Sequence, residues 1–141
     1  MNNLDHILLA QRNGFLATVE NGKPKIRPFE IQLIPDSQFK YYLCTANTKQ
    51  VYKQLQDNPY VEFSLSTPDN VILRIGGKIK FDDSLSIKNW IIETNDLVRS
   101  IYKKGDNPIF EIFYFEEADG SLLYLDGSKP EFFSLKNKTR T

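Results

Sequence analysis

Segment 45–49 concentrates the residue types that bind anions. Thr45, Asn47 and Thr48 carry short side chains that can donate hydrogen bonds, and Lys49 adds a full positive charge. The segment follows a strand-like run and leads directly into a helix-like run. A helix N-terminus offers an anion unpaired backbone N–H groups and a partial positive charge. The sequence therefore predicts a turn that holds one phosphate group.

A second cation, Arg27, lies on an upstream strand-like segment. Arginine can offer a phosphate two parallel donors, where Lys49 offers a point charge. The residues alone leave a second interpretation open, in which Arg27 and Lys49 are solvated surface charges and Thr45 and Thr48 only cap the helix. Because capping and phosphate binding use the same geometry, the two threonines are compatible with both interpretations.

Residues for other chemistries are sparse in the sequence. Gly76 and Gly77 do not form a dinucleotide-binding fingerprint, and no His/Asp/Glu cluster has the spacing of a metal site. Cys44 is the single cysteine, which excludes an intramolecular disulfide and a thiolate-rich metal site. We interpret it as a small buried residue, with a reactive thiol as the alternative. The single histidine, His6, is expected to be a partly exposed helix residue.

Bulk properties limit the class of protein. The 141 residues predict one domain spanning 1–141. Lys+Arg and Asp+Glu each number 18, and the resulting zero net charge argues against a protein that coats nucleic acid. No apolar run approaches the roughly 20 residues of a membrane span. The N-terminus also lacks the pattern of a secretion signal, so we expect a cytoplasmic protein without a membrane partner.

Short apolar and aromatic runs separated by turn signals predict six or seven strands and two or three helices. The strands are expected over 15–20, 25–34, 39–44, 61–66, 71–81, 109–115 and 121–126, and the helices over 4–12, 50–57 and 84–104. Asn21 with Gly22, and Asp119 with Gly120, predict hairpin turns. Pro28 marks an edge, a bulge or an interruption of pairing, because proline cannot donate to a ladder.

Three local patterns refine this outline. The helical segment 84–104 is expected in two pieces, because 94–96 is a weak helical stretch and a fresh cap. Asn47 and Gln50 resemble a capping pair for the helix after the polar turn. The tail, 136–141, is polar and is expected to be loose. Strands joined mostly by hairpins predict a mainly β protein, a small antiparallel barrel with flanking helices.

The order of these motifs is similar to that of a known family. It runs from Gly14-Phe15-Leu16-Ala17-Thr18 through Lys25-Ile26-Arg27-Pro28-Phe29 and Tyr42-Leu43-Cys44-Thr45-Ala46-Asn47-Thr48-Lys49 to Asn58-Pro59 and Arg74-Ile75-Gly76-Gly77-Lys78. This set resembles the pyridoxamine 5′-phosphate oxidase-like family of FMN-binding split barrels, and most closely its small nitroimidazole-resistance (NimA/NimC-type) branch. The resemblance covers residues 3–135.

The resemblance implies a six- to seven-stranded antiparallel split β-barrel that forms a homodimer with FMN between protomers. It implies that Arg27, Thr48 and Lys49 surround the phosphate and ribityl chain, and that the backbone of 43–45 lies along the flavin ring. The resulting cofactor-binding set is Arg27, Pro28, Leu43, Cys44, Thr45, Thr48 and Lys49. No residue is assigned a catalytic role, and no metal is implied.

The leading hypothesis is an FMN-dependent oxidoreductase that passes electrons from a donor such as reduced nicotinamide to a small, aromatic or nitroaromatic substrate. Aromatic residues of the second protomer, Trp90 or those near Phe132 and Phe133, would close the pocket. The alternative is a non-catalytic barrel that binds flavin, haem or deazaflavin as a sensor or store. A third possibility, a single-stranded nucleic-acid-binding barrel, is disfavoured by the zero net charge.

Overall fold

The computed structural model describes residues 2–136, which form eight strands and four helices. In chain order these are α1 (Asn3–Ala10), β1 (Asn13–Glu20), β2 (Lys23–Glu30), β3 (Gln32–Leu33), β4 (Tyr41–Ala46), α2 (Gln50–Asp57), β5 (Tyr60–Ser66), β6 (Val71–Asp82), α3 (Leu85–Thr94), α4 (Asp96–Tyr102), β7 (Phe110–Tyr124) and β8 (Glu131–Lys136). None of the helices in this range is long and apolar enough to cross a bilayer.

All strand pairs are antiparallel, and they join into one sheet in the order β2-β1-β5-β6-β7-β4-β3, with β8 added to β7. The sheet curls into a half-barrel with helices at its flanks, which confirms the predicted mainly β split-barrel fold. The curl keeps β2 and β4 near each other although they lie far apart in the strand order. The site residues of the two strands are therefore neighbours in space.

The β1–β2 hairpin follows directly from its turn residues. Asn21 and Gly22 have φ angles of 54° and 74°, the positive values that a tight two-residue hairpin turn requires. Pro28 lies within β2 opposite Phe15, and β2 is the edge strand of the sheet, as the proline indicated. The single strand expected over 25–34 is wrong in extent, since β2 ends at Glu30 and β3 is a separate short strand.

The predicted hairpin at Asp119 and Gly120 is wrong. β7 continues through both residues as one 15-residue strand and pairs with β6 on one side and β8 on the other. A side chain at Gly120 would overlap the Phe133 ring of β8, and Ser134 Oγ donates a hydrogen bond to Asp119 Oδ1 over 2.7 Å. The glycine thus serves close packing rather than a turn. The sequence analysis also missed β8 itself.

The glycine pair of β6 marks a close backbone approach. Gly77 has a φ of 154°, and a Cβ there would overlap the carbonyl oxygen of Glu117 on β7. The pairing register of β6 and β7 shifts immediately afterwards, between Lys78 and Ile79. The resulting bulge bends β6, and bends of this kind help a sheet to curl.

Two helix positions are fixed by single polar side chains. Asn95 separates α3 from α4, and its Oδ1 accepts a hydrogen bond from the Val98 N–H over 3.0 Å, which confirms the predicted two-piece helix with a new cap. Asp5 fastens α1 to β4, because it accepts hydrogen bonds from Lys40 Nζ over 2.7 Å and from the Tyr41 hydroxyl over 2.6 Å. Of the predicted tail, 136–141, Lys136 is the last residue of β8, and 137–141 lies outside the described residues.

Two apolar cores lie on opposite sides of β4. Leu43 packs in the larger core inside the curled sheet, whereas Tyr42 and Ala46 belong to a second core with α3 and α4. This alternation is the period-two pattern of a strand that is buried on both faces. It fixes the orientation of every side chain that β4 contributes to the site.

Candidate functional site

A cleft with a volume of about 260 Å³ opens between β2, β4, the start of α2 and the outer side of α4. Five of the seven residues that the sequence analysis assigned to cofactor binding line this cleft: Arg27, Pro28, Cys44, Thr45 and Lys49. They come from two strands and a helix start that are distant in sequence. The fold therefore assembles the predicted anion-binding elements in one place.

The other two predicted residues do not line the cleft with their side chains. Leu43 is fully buried in the larger core, so only its backbone is available to a ligand. Thr48 is exposed in the turn before α2 and lies outside the lining. The side chains at these two positions thus contribute core packing and turn formation in this structure.

Arg27 is held in place by uncharged partners. Its Nη1 donates to Thr18 Oγ1 over 2.8 Å, and its Nη2 donates to Gln54 Oε1 over 2.7 Å. The Thr18 hydroxyl in turn donates to Gln54 Oε1 over 2.6 Å, so the three side chains close a ring of hydrogen bonds. Thr18 on β1 and Gln54 on α2 are both buried, and the ring joins the two elements.

The charge of Arg27 is left without an opposite partner. Among residues 2–136 no carboxylate lies within ion-pairing distance of Arg27 or of Lys49. Burial lowers the pKa of the Arg27 guanidinium, but arginine is not deprotonated in proteins, so the group stays charged. A half-buried cation without a counter-ion favours an anionic ligand.

The N-terminus of α2 lacks a side-chain cap. Lys49 occupies the cap position without making a capping hydrogen bond, and the first turn contains no acidic residue. The predicted Asn47–Gln50 capping pair is wrong, because Asn47 Nδ2 instead donates to Pro108 O over 2.9 Å and to Glu111 Oε2 over 2.8 Å. The N–H groups of Gln50 and Val51 are therefore available to an anion, whereas that of Tyr52 donates to Lys49 O over 3.2 Å.

Thr45 places an unsatisfied hydroxyl in the lining of the cleft. The residue is only 1% exposed, yet its hydroxyl has no hydrogen-bond partner anywhere in the described part of the chain. An unpaired buried hydroxyl costs about 1–3 kcal/mol, and nearly all buried polar groups in proteins are satisfied. A ligand with polar groups along this wall would supply the missing partner, so the residues present fit a polar, anionic cofactor.

Cys44 does not have the properties of a reactive thiol. Burial, together with the nearby negative charge of Glu30, raises the pKa of the thiol. The thiolate is the reactive form, so a raised pKa keeps Cys44 protonated and inert at neutral pH. The preferred interpretation, a small packing residue, agrees with this environment.

The opposite wall of the cleft, which α4 provides, was not predicted from the sequence. Leu97 and Ile101 are exposed by 66% and 58%, and both face the cleft together with the buried Val98 and Tyr102. Their four-residue spacing was a usable signal, because two large apolar residues on the outer side of a short helix indicate a binding surface. Glu30 was also missed, and it is the one carboxylate among the described residues that line the cleft.

No protein-family model matches the chain, and no curated protein matches it either. Solved structures do match. A NimC/NimA family protein from Clostridium acetobutylicum superposes with a TM-score of 0.83 at 28% sequence identity, over 94% of this chain and 90% of that chain. These matches support the resemblance of the chain to the pyridoxamine 5′-phosphate oxidase-like split-barrel family.

Two more distant matches show the range of this fold. A pyridoxamine 5′-phosphate oxidase-related, FMN-binding protein from Nostoc punctiforme has a TM-score of 0.73 at 18% identity, over 94% of this chain and 93% of that chain. A heme-binding protein from Mycobacterium smegmatis has a TM-score of 0.69 at 14% identity, over 94% of this chain and 55% of that chain. At these identities the matches establish the split-barrel fold alone.

Proposed function

We propose that this split barrel binds FMN and acts, as a homodimer, as an FMN-dependent oxidoreductase on a small aromatic substrate, nitroaromatic compounds included. The observation that carries the proposal is a cleft that contains both the guanidinium of Arg27, which has no carboxylate partner, and the uncapped N-terminus of α2. Cationic donors and free helix N–H groups are the set that a phosphate monoester prefers. The FMN-binding relative with the same fold supports this choice of phosphate ligand.

Three cleft residues have defined tasks in this proposal. Arg27 binds the phosphate with the guanidinium N–H groups that its uncharged partners leave free, and Lys49 adds a second positive charge. The backbone N–H groups at the start of α2 complete the phosphate site. Thr45 supplies a hydroxyl further along the cofactor. When bound, FMN supplies the electron-transfer chemistry, so the protein needs to provide binding, orientation and exclusion of water.

The size of the cleft supports a dimeric site. Pockets that enclose a small ligand usually measure about 300–1,000 Å³, whereas this cleft measures about 260 Å³ in the single chain. Leu97 and Ile101 leave an apolar wall open to solvent at the cleft. A second copy of the chain would cover this wall and complete the pocket. Phe132, at 79% exposure, is free to contribute from a partner, whereas Trp90 packs against the second core.

A binding protein for haem or deazaflavin without turnover is the second candidate, and the heme-binding match is the observation that favours it. The residues of the cleft fit haem less well than a phosphate cofactor. His6 lies in α1 outside the cleft lining, and Cys44 has a raised pKa that disfavours a thiolate ligand. The absorbance spectrum of the purified protein distinguishes a flavin from a haem directly.

The test is a titration of cofactor-free protein with FMN, followed by flavin fluorescence. We expect the double variant Arg27→Ala, Lys49→Ala to bind FMN at least about 100-fold more weakly, because two charge-assisted hydrogen bonds of about 1.5 kcal/mol each are lost. Arg74→Ala combined with Lys53→Ala is the matched control, since it removes one strand cation and one α2 cation outside the cleft. A folded double variant with unchanged FMN affinity would refute the assignment. Reduction of the bound flavin by reduced nicotinamide is expected for an oxidoreductase and not for a protein that only stores the flavin, so this measurement distinguishes the two functions.

A further inference from the structure

Glu30 is held in one orientation by two buried amides. Its Oε1 accepts hydrogen bonds from Asn95 Nδ2 over 2.8 Å and from Gln32 Nε2 over 3.0 Å. Asn95 Nδ2 also lies 3.1 Å from Gln32 Oε1, so the three side chains form a connected network. Because Asn95 Oδ1 caps α4, the same residue fastens Glu30 to the helix that forms the far wall of the cleft.

The second oxygen of Glu30 remains available to a ligand. Within residues 2–136, Oε2 accepts no hydrogen bond. Its one cationic neighbour there is Arg12, whose Nε lies 4.0 Å away and whose side chain is partly exposed. The carboxylate is half-buried at the cleft, with a side-chain exposure of 27%. A charge-assisted hydrogen bond to such a group is stronger than one in open solvent.

The cationic side chains of the cleft are associated with α2, whereas its carboxylate is tied to the start of α4. Arg27 and Lys49 stand near the start of α2, where the proposed function assigns them to the phosphate of FMN. Once that anion neutralises them, Glu30 is the remaining charge among the described residues that line the cleft. Glu30 lines the same cleft as Cys44, whose pKa is raised by burial and by the charge of Glu30. A second anionic ligand would meet this carboxylate inside the cleft, because Arg12, its long-range ion-pair partner at 4.0 Å, lies outside the cleft lining.

We propose that Glu30, positioned by Gln32 and Asn95, determines substrate specificity: the cleft selects aromatic substrates that carry a cationic or N–H donor group and rejects those that carry a carboxylate. This inference rests on the proposed function for the presence of the flavin. Glu30 accepts a hydrogen bond from the substrate through Oε2, while the apolar wall of α4 contacts the aromatic ring. The selection is electrostatic, and it requires no chemical step by Glu30 itself.

Three nitroaromatic compounds of nearly equal shape test the charge preference: 4-nitrobenzylamine, which is a cation at neutral pH, 4-nitrobenzyl alcohol and 4-nitrobenzoate. The dissociation constant of each is measured on the FMN-loaded protein from the change in flavin absorbance. We expect the amine to bind at least about tenfold more tightly than the benzoate, the effect of one charge-assisted hydrogen bond. Glu30→Gln should remove this preference and leave FMN affinity unchanged. Glu20→Gln, on an exposed strand end, is the control and should keep the preference.

Asn95→Ser tests the positioning network separately. Serine can still cap α4, but it removes both hydrogen bonds that Asn95 Nδ2 makes. We expect a preference for the amine between those of the wild type and Glu30→Gln. A preference that survives Glu30→Gln, or a wild-type protein that favours the benzoate, overturns the proposal. If the wild type takes up no FMN, the proposed function fails instead, and calorimetric titration of the three compounds into the flavin-free protein then tests Glu30 alone.

Discussion

The hydroxyl of Thr18 offers the sharpest test of how the cleft holds its cation. This buried group accepts a hydrogen bond from Arg27 and donates one to Gln54. Thr18→Val removes both hydrogen bonds and keeps the shape of the side chain. Thr18→Ser keeps the hydroxyl and removes one methyl group. The two variants therefore separate hydrogen bonding from packing at one position.

The magnitudes follow from the contacts that each variant loses. Thr18→Val loses the hydrogen bond to the charged Arg27, which contributes about 1.5–3 kcal/mol, and the neutral hydrogen bond to Gln54, which contributes about 1 kcal/mol. Burial of the additional methyl group returns about 1 kcal/mol. We expect the free energy of unfolding to fall by about 2 kcal/mol. Thr18→Ser should lose about 1 kcal/mol, since it removes one buried methyl group.

The two variants should differ in FMN affinity. Two side chains make the short hydrogen bonds that fix Arg27, whereas those to Leu16 O and Lys25 O are long, at 3.3 and 3.4 Å. An arginine side chain carries about 2 kcal/mol of rotamer entropy. Loss of one of the two contacts should release about half of it, which weakens FMN binding about fivefold. Thr18→Ser keeps both contacts and should bind FMN as the wild type does. Urea unfolding and FMN titration check both expectations. Equal FMN affinities of the two variants would show that the ring of hydrogen bonds does not preorganise Arg27.

Three further perturbations test the fold and the dimer. Asp5→Asn should cost about 2 kcal/mol at neutral pH. Burial opposes ionisation of Asp5, but hydrogen bonds from its lysine and tyrosine partners outweigh this effect and lower its pKa. The stabilisation is therefore present above the unfolded pKa of about 3.9 and is lost as the pH falls through the folded pKa. In urea unfolding, the free energies of unfolding of wild type and variant should converge in acid. A difference that stays constant with pH would exclude ionisation as the cause. Gly77→Ala should lower the melting temperature, because its φ is 154° and the new Cβ meets backbone, at a cost of about 1–3 kcal/mol; an unchanged melting temperature would contradict this. Leu97→Glu with Ile101→Glu should lower the molar mass measured by light scattering from dimer to monomer and weaken FMN binding at least about tenfold. Leu9→Glu, at an exposed position of α1, should do neither. A dimer that persists would place the interface elsewhere.

Local signals in the sequence were sufficient for the turn-based features. The positive φ angles of Asn21 and Gly22, the cap at Asn95 and the bounds of α2 each depend on residues within a few positions of one another. The same holds for the position of Lys49 at the start of α2. These features could be predicted because short-range sterics and hydrogen bonding determine them.

Long-range pairing explains what the sequence did not reveal. Asp119 and Gly120 have the local pattern of a turn, but pairing with β8 on one side and β6 on the other keeps them extended. The fixation of Arg27 depends on a hydrogen bond between residues 36 positions apart, and that of Glu30 on one between residues 65 positions apart. No periodicity or motif encodes such pairs. The two cations of the cleft could therefore be named from the sequence, whereas the side chains that position Arg27 could not.

The most direct measurement compares FMN with riboflavin, which has the same ring and ribityl chain but lacks the phosphate. Both are titrated into the flavin-free wild-type protein under the same conditions, with flavin fluorescence as the signal. Because Arg27 and Lys49 are assigned to the phosphate, we expect riboflavin to bind at least about 100-fold more weakly than FMN. Equal affinities for the two compounds would contradict the phosphate site at the start of α2.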